Sequence, residues 1–147
     1  MPAHHLPDIN RTSSGRMTAK AMSIVQDGFA GLLGVEYVES ETDRVVVRMR
    51  YRKILGVGRI HGGAISALVD IAATAAFWSH PDLTGNSRGA TVGFTINFLR
   101  LAVGEDLIAE ASVRRRGGTI CTGEVTITNE EGEEIAIATV TYKLSRE

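Results

Sequence analysis

The stretch Arg59–His80, "RIHGGAISALVDIAATAAFWSH", is apolar almost throughout and carries one carboxylate, Asp70, near its middle. Between Gly63 and Trp78 it has neither glycine nor proline and is rich in alanine and aliphatic residues. It therefore reads as a helix of about four to five turns. A helix apolar nearly all round must be covered on more than one side. An acid in its middle costs roughly several kcal/mol unless it is paired, hydrogen-bonded or used.

Between Ala64 and Trp78 the only polar residues are Ser66, Asp70 and Thr74. Their i, i+4, i+8 spacing places them in one slowly drifting line along the helix. A narrow solvent-facing strip would give the same line, but such strips normally carry Lys, Glu or Arg. Two small hydroxyls around one carboxylate read better as a lined slot. Asp70 is then the working group, and Ser66 and Thr74 leave room and hydrogen bonds beside it.

His61-Gly62-Gly63 opens the helix. The first backbone N–H groups of a helix lack intrahelical partners, and the dipole makes that end electropositive. Glycine lets another group approach those amides, so a developing oxyanion would fit there. The competing, simpler reading is that Gly62 and Gly63 merely let the chain turn into the helix beneath packed strands, and a Gly-Gly at a helix start does not by itself decide against it. Asp70 lies about 13 Å along the axis from His61 and roughly half a revolution away. Within one chain the acid and the amides cannot share a reacting atom. Across a twofold axis, antiparallel helices bring one helix start to the middle of the other. Catalysis by this pair thus requires a homodimer with two composite sites.

On the N-terminal side, Met17–Leu33 places Met22, Val25, Phe29 and Leu32 on one face of an amphipathic helix that stops near Gly34. "VEYVES" and "DRVVVRMRY" follow as strands joined at "ETD", and "KILGVGRI" reads as a loop. In the second strand, Val45, Val47, Met49 and Tyr51 alternate with Val46, Arg48, Arg50 and Arg52, and the arginine row reads as an exposed face. Beyond His80-Pro81 the period is two to the end of the chain. "TVGFTINF" sets Val92, Phe94, Ile96 and Phe98 opposite Thr91, Thr95 and Asn97. "DLIAEASVRR" points Leu107, Ala109, Ala111 and Val113 inward, and "TICTGEVTIT" and "EIAIATVTYKL" form a hairpin about "NEEGE". One apolar helix with five to six antiparallel strands is an α+β architecture, helix against sheet, in which either the sheet curls around the helix or a second subunit closes its exposed flank.

The chain of 147 residues fits one domain, 17–147, behind a flexible lead-in of residues 1–16. That lead-in lacks the apolar core of a secretory signal. Sixteen basic against seventeen acidic residues give no bulk-charge reason to expect nucleic acid or a membrane surface as partner. Ser66, Asp70 and Thr74 interrupt the longest apolar run, which makes a poor membrane span. A single cysteine, Cys121, fits a reducing compartment, and the expected location is cytoplasmic. His4, His5, His61 and His80 do not cluster as metal ligands.

"HGGAISALVD", with Gly58 three positions before His61, resembles the signature of hotdog-fold thioesterases of the PaaI-like type. "INFLRLAVGEDLIAEA" resembles a strand of the same family, with Leu101 where a proline is common. The likeness covers roughly Met17 to Leu144. It implies a hotdog fold, a long central helix wrapped by the antiparallel sheet, in dimers with interface sites that often pair into tetramers. The implied reaction is hydrolysis of acyl-CoA with no cofactor, coenzyme A being part of the substrate. Carried over, Asp70 is the nucleophile or the general base. The Gly62 N–H polarises the thioester carbonyl from the opposite subunit, with Gly63 shaping the turn and His61 holding the helix start. Thr91 falls where relatives place a hydroxyl that contacts the carboxylate or its water, and Thr74 matches a hydroxyl position of some of them.

Many relatives carry Asn or Gln six residues before the histidine, where this chain has Leu55. That departure motivates an alternative, a non-hydrolytic acyl-CoA-binding sensor or interaction module. A hydratase on the same fold needs a His paired with an acid, which the spacing of His61 and Asp70 does not supply. For the CoA phosphates the candidates are Arg114, Arg115 and Arg116 at a turn, with Arg88 and Arg59 behind them.

Overall fold

The computed structural model describes residues 18–146, and in it the deciding stretch is helical from Gly62 to Phe77 (α3). His61 is its N-cap in an extended conformation, and the Trp78 N–H closes the other end on the Thr74 carbonyl at 3.0 Å. Ile65, Leu68, Val69, Ala72, Ala73 and the run from Ala75 to Phe77 are buried. Ser66, Ala67, Asp70, Ile71 and Thr74 stay half-buried along one strip. Full burial of a side chain such as Leu68 or Val69 contributes about 1.5–3 kcal/mol, so the apolar side of α3 anchors the core.

Before α3 come α1 (Ala19–Gln26), α2 (Gly28–Leu33), β1 (Val35–Glu41), β2 (Arg44–Met49) and a short 3-10 turn, Lys53–Leu55. After it come β3 (Arg88–Phe98), β4 (Leu107–Arg116), β5 (Ile120–Asn129) and β6 (Glu134–Ser145). The strands form one antiparallel six-stranded sheet in the order β1-β2-β4-β5-β6-β3. The sheet curls about α3 without closing, which is the hotdog arrangement. β1 and β3 are its edges.

The expected single helix over Met17–Leu33 is two helices, and Met17 lies outside the described residues. Asp27 caps the end of α1 with an extended backbone, and Gly28 enters α2 at φ +55°, a conformation that favours glycine. The restart changes the helical phase. Ala21, Val25 and Ala30 are buried, whereas Phe29 and Leu32, expected on the inner face, are exposed. Gly34 ends α2 in the left-handed region, as its position predicts.

Val45, Val47 and Met49 of β2 face the core. The opposite row is not uniformly exposed: Val46 and Arg48 are buried, and the Arg48 guanidinium lies 3.6 Å from Glu130 of the β5–β6 turn. Arg50 and Arg52 are exposed.

Two β-bulges decide which residues reach the inside. On β3 the register shifts between Thr91 and Gly93. Thr91 pairs with Tyr142, and Phe94, Ile96 and Phe98 pair with Val140, Ala138 and Ala136, all four partners being buried. Thr91 therefore shares the helix-facing side with the two phenylalanines. Strict alternation had placed it on the other side; the extra residue reverses the parity. On β4 the shift lies between Val113 and Arg115, and it turns Arg116, paired with buried Cys121, inward.

Candidate active site

Asp70 meets β3 at the first bulge. The Thr91 hydroxyl donates to Asp70 Oδ1 at 2.7 Å, which answers part of the cost of the half-buried carboxylate. Oδ2 has no hydrogen-bond donor among the described residues. Ser66, one turn earlier, donates its hydroxyl to the Gly62 carbonyl at 2.8 Å and so is occupied within its own helix. Thr74, one turn later, continues the half-buried strip. Phe94 and Phe98 extend the helix-facing row of β3 beyond Thr91, and they remain 36% and 51% exposed because β3 is an edge strand.

At the start of α3, His61 Nδ1 accepts the Gly63 N–H at 2.8 Å, and the His61 N–H donates to the Leu55 carbonyl at 2.7 Å. Gly63 is thereby satisfied as a donor, and a Cβ on it would lie 2.9 Å from His61 Nδ1. The Gly62 N–H meets no acceptor among the described residues. It opens on a cleft of about 410 Å³ lined by Gly56, Val57, Arg59, Ile60, His61, Gly62, Ile65, Phe98, Arg100, Leu101 and Ala102. A Cβ on Gly62 would come 3.3 Å from Phe98 Cζ, so the glycine also makes room for that ring. Most of the wall is apolar, with Arg59 and Arg100 among the lining residues. The phenylalanine and Leu101 were legible as a strand end, but nothing in the one-dimensional pattern placed them beside the helix start.

Leu55 does not line this cleft. Its side chain is only 3% exposed and packs in the core, so position 55 contributes a backbone carbonyl and no side-chain donor. The arginines also separate. Arg116 Nε bonds Asp43 Oδ1 at 2.8 Å, and its Nη2 donates to the Phe77 and Ala76 carbonyls at 2.9 and 3.3 Å. It caps the C-terminal end of α3, the end remote from His61, with Nε and Nη2 of its guanidinium engaged inside the fold. Arg114 lies 3.8 Å from Glu124. Arg88, at the start of β3, and Arg115 are exposed and form no ion pair among the described residues. No group of three or more His, Cys, Asp or Glu able to hold a metal occurs among the described residues, and no helix there is long and apolar enough to cross a membrane.

Within one chain the half-buried acid with its strand hydroxyl and the helix start with its free amide are two separate features, about 12 Å apart along α3. Comparison with known proteins gives the family. Residues 57–136, which contain His61, Asp70 and Thr91, match the Thioesterase superfamily. A Halobacterium salinarum protein named "Putative esterase" is 30% identical over 88% of this chain and 93% of its own length. The medium/long-chain acyl-CoA thioesterase YigI of Escherichia coli is 31% identical over 56% of this chain and 61% of its own length. A thioesterase family protein from Silicibacter pomeroyi superposes with a TM-score of 0.74 and 29% identity, covering 86% of this chain and 99% of that one. The chain belongs to the Thioesterase superfamily, as a thioester hydrolase on the hotdog fold.

Proposed function

We propose that this chain hydrolyses an acyl-CoA thioester to the free acid and coenzyme A, at sites shared between two copies. The observation that carries the reading is the 2.7 Å bond from Thr91 to Asp70. It orients the carboxylate and leaves Oδ2 and the Thr91 oxygen lone pairs to face a substrate or a water. Asp70 then serves in one of two ways. As general base it takes a proton from water as the water attacks the thioester carbon. As nucleophile it attacks that carbon itself, expelling the CoA thiolate and leaving a mixed anhydride for water to cleave. Either route builds negative charge on the carbonyl oxygen, where a donor is worth most. The Gly62 N–H is the donor in reach of the cleft.

Gly62 and Asp70 of one helix are about 12 Å apart along its axis, so the amide must come from a second copy. Two features support that pairing. The half-buried strip of α3 is uncovered, and the free edge of β3 exposes Val92, Phe94 and Phe98 beside it. A homodimer buries both, and a tetramer is the further assembly the reading allows. Arg59, Arg88 and Arg115 are the exposed cations offered to the phosphates; Arg116 leaves that set. The chemistry of YigI, an acyl-CoA thioesterase by name, supports the same substrate class.

One observation favours a second reading, a module that binds acyl-CoA without turnover: the buried Leu55 removes a side-chain donor from the helix start. Thiol release over a panel of acyl-CoA esters, run beside Asp70→Asn, separates the two. Hydrolysis predicts release by the native chain and a loss of about a hundredfold or more in the variant, with acyl-CoA binding retained. Binding with no release by the native chain sinks the hydrolytic reading, and so does undiminished release by the variant.

A further inference from the structure

Tyr142 lies directly across the sheet from Thr91, its Cα partner on the neighbouring strand. Its ring is buried and stacks on Phe77, the last residue of α3, with centroids 4.8 Å apart and planes 16° from parallel. Its phenol oxygen accepts the indole N–H of Trp78 at 2.8 Å. On the β3 side it presses against Gly89, where a Cβ would stand 2.5 Å from the ring and 2.8 Å from the phenol oxygen. Tyr142 is thus fastened to the end of the helix that bears Asp70 and pressed against the strand that bears Thr91.

That strand needs a support. β3 is hydrogen-bonded only to β6, and its ladder is broken by the bulge next to Thr91. We propose that Tyr142 is a positioning residue. Wedged between the C-terminal end of α3 and Gly89, it sets the distance of β3 from the helix and so keeps the Thr91 hydroxyl on Asp70 during turnover. It touches no substrate and exchanges no proton. Burial first, and then the nearby Asp70 charge, raise its pKa above the usual 10.0, outweighing the Trp78 bond that lowers it, so the wedge is a neutral phenol. The inference rests on the hydrolytic reading of Asp70.

The test is a double-mutant cycle on the full chain, with thiol release as readout and Trp78, the only tryptophan, as a fluorescent report on the wedge. Tyr142→Phe keeps the stack and removes the acceptor for the indole. It is expected to lower kcat roughly three- to tenfold with KM unchanged, and to change nothing further in a Thr91→Ala background. Gly89→Ala pushes the ring from the other side while keeping every hydrogen-bonding group. It should show the same kcat loss and the same silence without Thr91, and it carries the test if Tyr142→Phe fails to fold. Equal losses in both backgrounds, or an unchanged kcat in a folded variant with an altered Trp78 emission, overturn the proposal. Asp70→Asn is run alongside. If it abolishes release while the cycle is additive, only the wedge is wrong; if it retains release, the hydrolytic reading falls first.

Discussion

The two ends of α3 are treated in opposite ways. The C-terminal end is closed: Arg116 covers the Ala76 and Phe77 carbonyls, Phe77 stacks on Tyr142, and Trp78 bonds the phenol. The N-terminal end is capped only in part. His61 takes up the Gly63 amide, and the Gly62 amide is left over an apolar cleft. Both ends carry unsatisfied backbone groups by the nature of a helix. One set is satisfied by the fold and the other is not, and the function proposed above assigns the unsatisfied end to the substrate.

Substitutions that exchange the characters of these ends test the contrast. The largest effect is expected from Gly62→Pro. Proline is favoured at the first helical position, and His61, with φ −62° and ψ 136°, already has the backbone preferred before proline. The variant should keep its circular dichroism while losing the free amide of the helix start, and kcat for thiol release should fall about a hundredfold or more below that of Gly62→Ala, which crowds Phe98 in the same way and keeps the amide. A full-rate variant would show that the open end is not used.

At the closed end, Arg116→Met leaves Asp43 and two carbonyls without their donor. Urea unfolding should show a loss of about 2–4 kcal/mol, with turnover per folded molecule retained. If turnover falls instead with stability intact, the arginine belongs to the site after all. A smaller change is expected from His61→Ala, which removes the side-chain cap from Gly63 and should cost about 1 kcal/mol in the same assay. Smallest is a pH effect from Tyr142. Its pKa is raised in the folded chain, so its contribution is complete below pH 10 and is lost as pH climbs from there through the folded value. The alkaline fall in unfolding free energy should be shallower in Tyr142→Phe.

The open end was far more legible in the sequence than the closed one. The apolar run, its polar line and the His-Gly-Gly start marked out α3 and singled out Asp70 from residue type and spacing, whereas the choice of Gly62 as the donor came from the family resemblance. Thr91 came into view only through family resemblance, because alternation along β3 set it opposite Phe94. The inward place of Arg116, read as one of an arginine run at a turn, was hidden by a bulge as well. Counting by twos from Val113 points Arg115 inward, and the bulge hands that position to its neighbour. A one-residue insertion in a ladder leaves no composition signal, yet it flips every side chain beyond it. The break between α1 and α2 did have a signal, the Asp27-Gly28 pair, which the helical period of the surrounding residues masked.

The bare margin of β3 has a cost outside the reaction. It is eleven residues long and free of proline, and it presents amides and carbonyls that no neighbouring strand occupies. Such a margin is a template for any other extended chain, a misfolded neighbour included. On the homodimer proposed above, variants that weaken the twofold contact are the ones expected to come out of solution as fibrous precipitate. Val92→Lys would guard this edge at the expense of the proposed pairing.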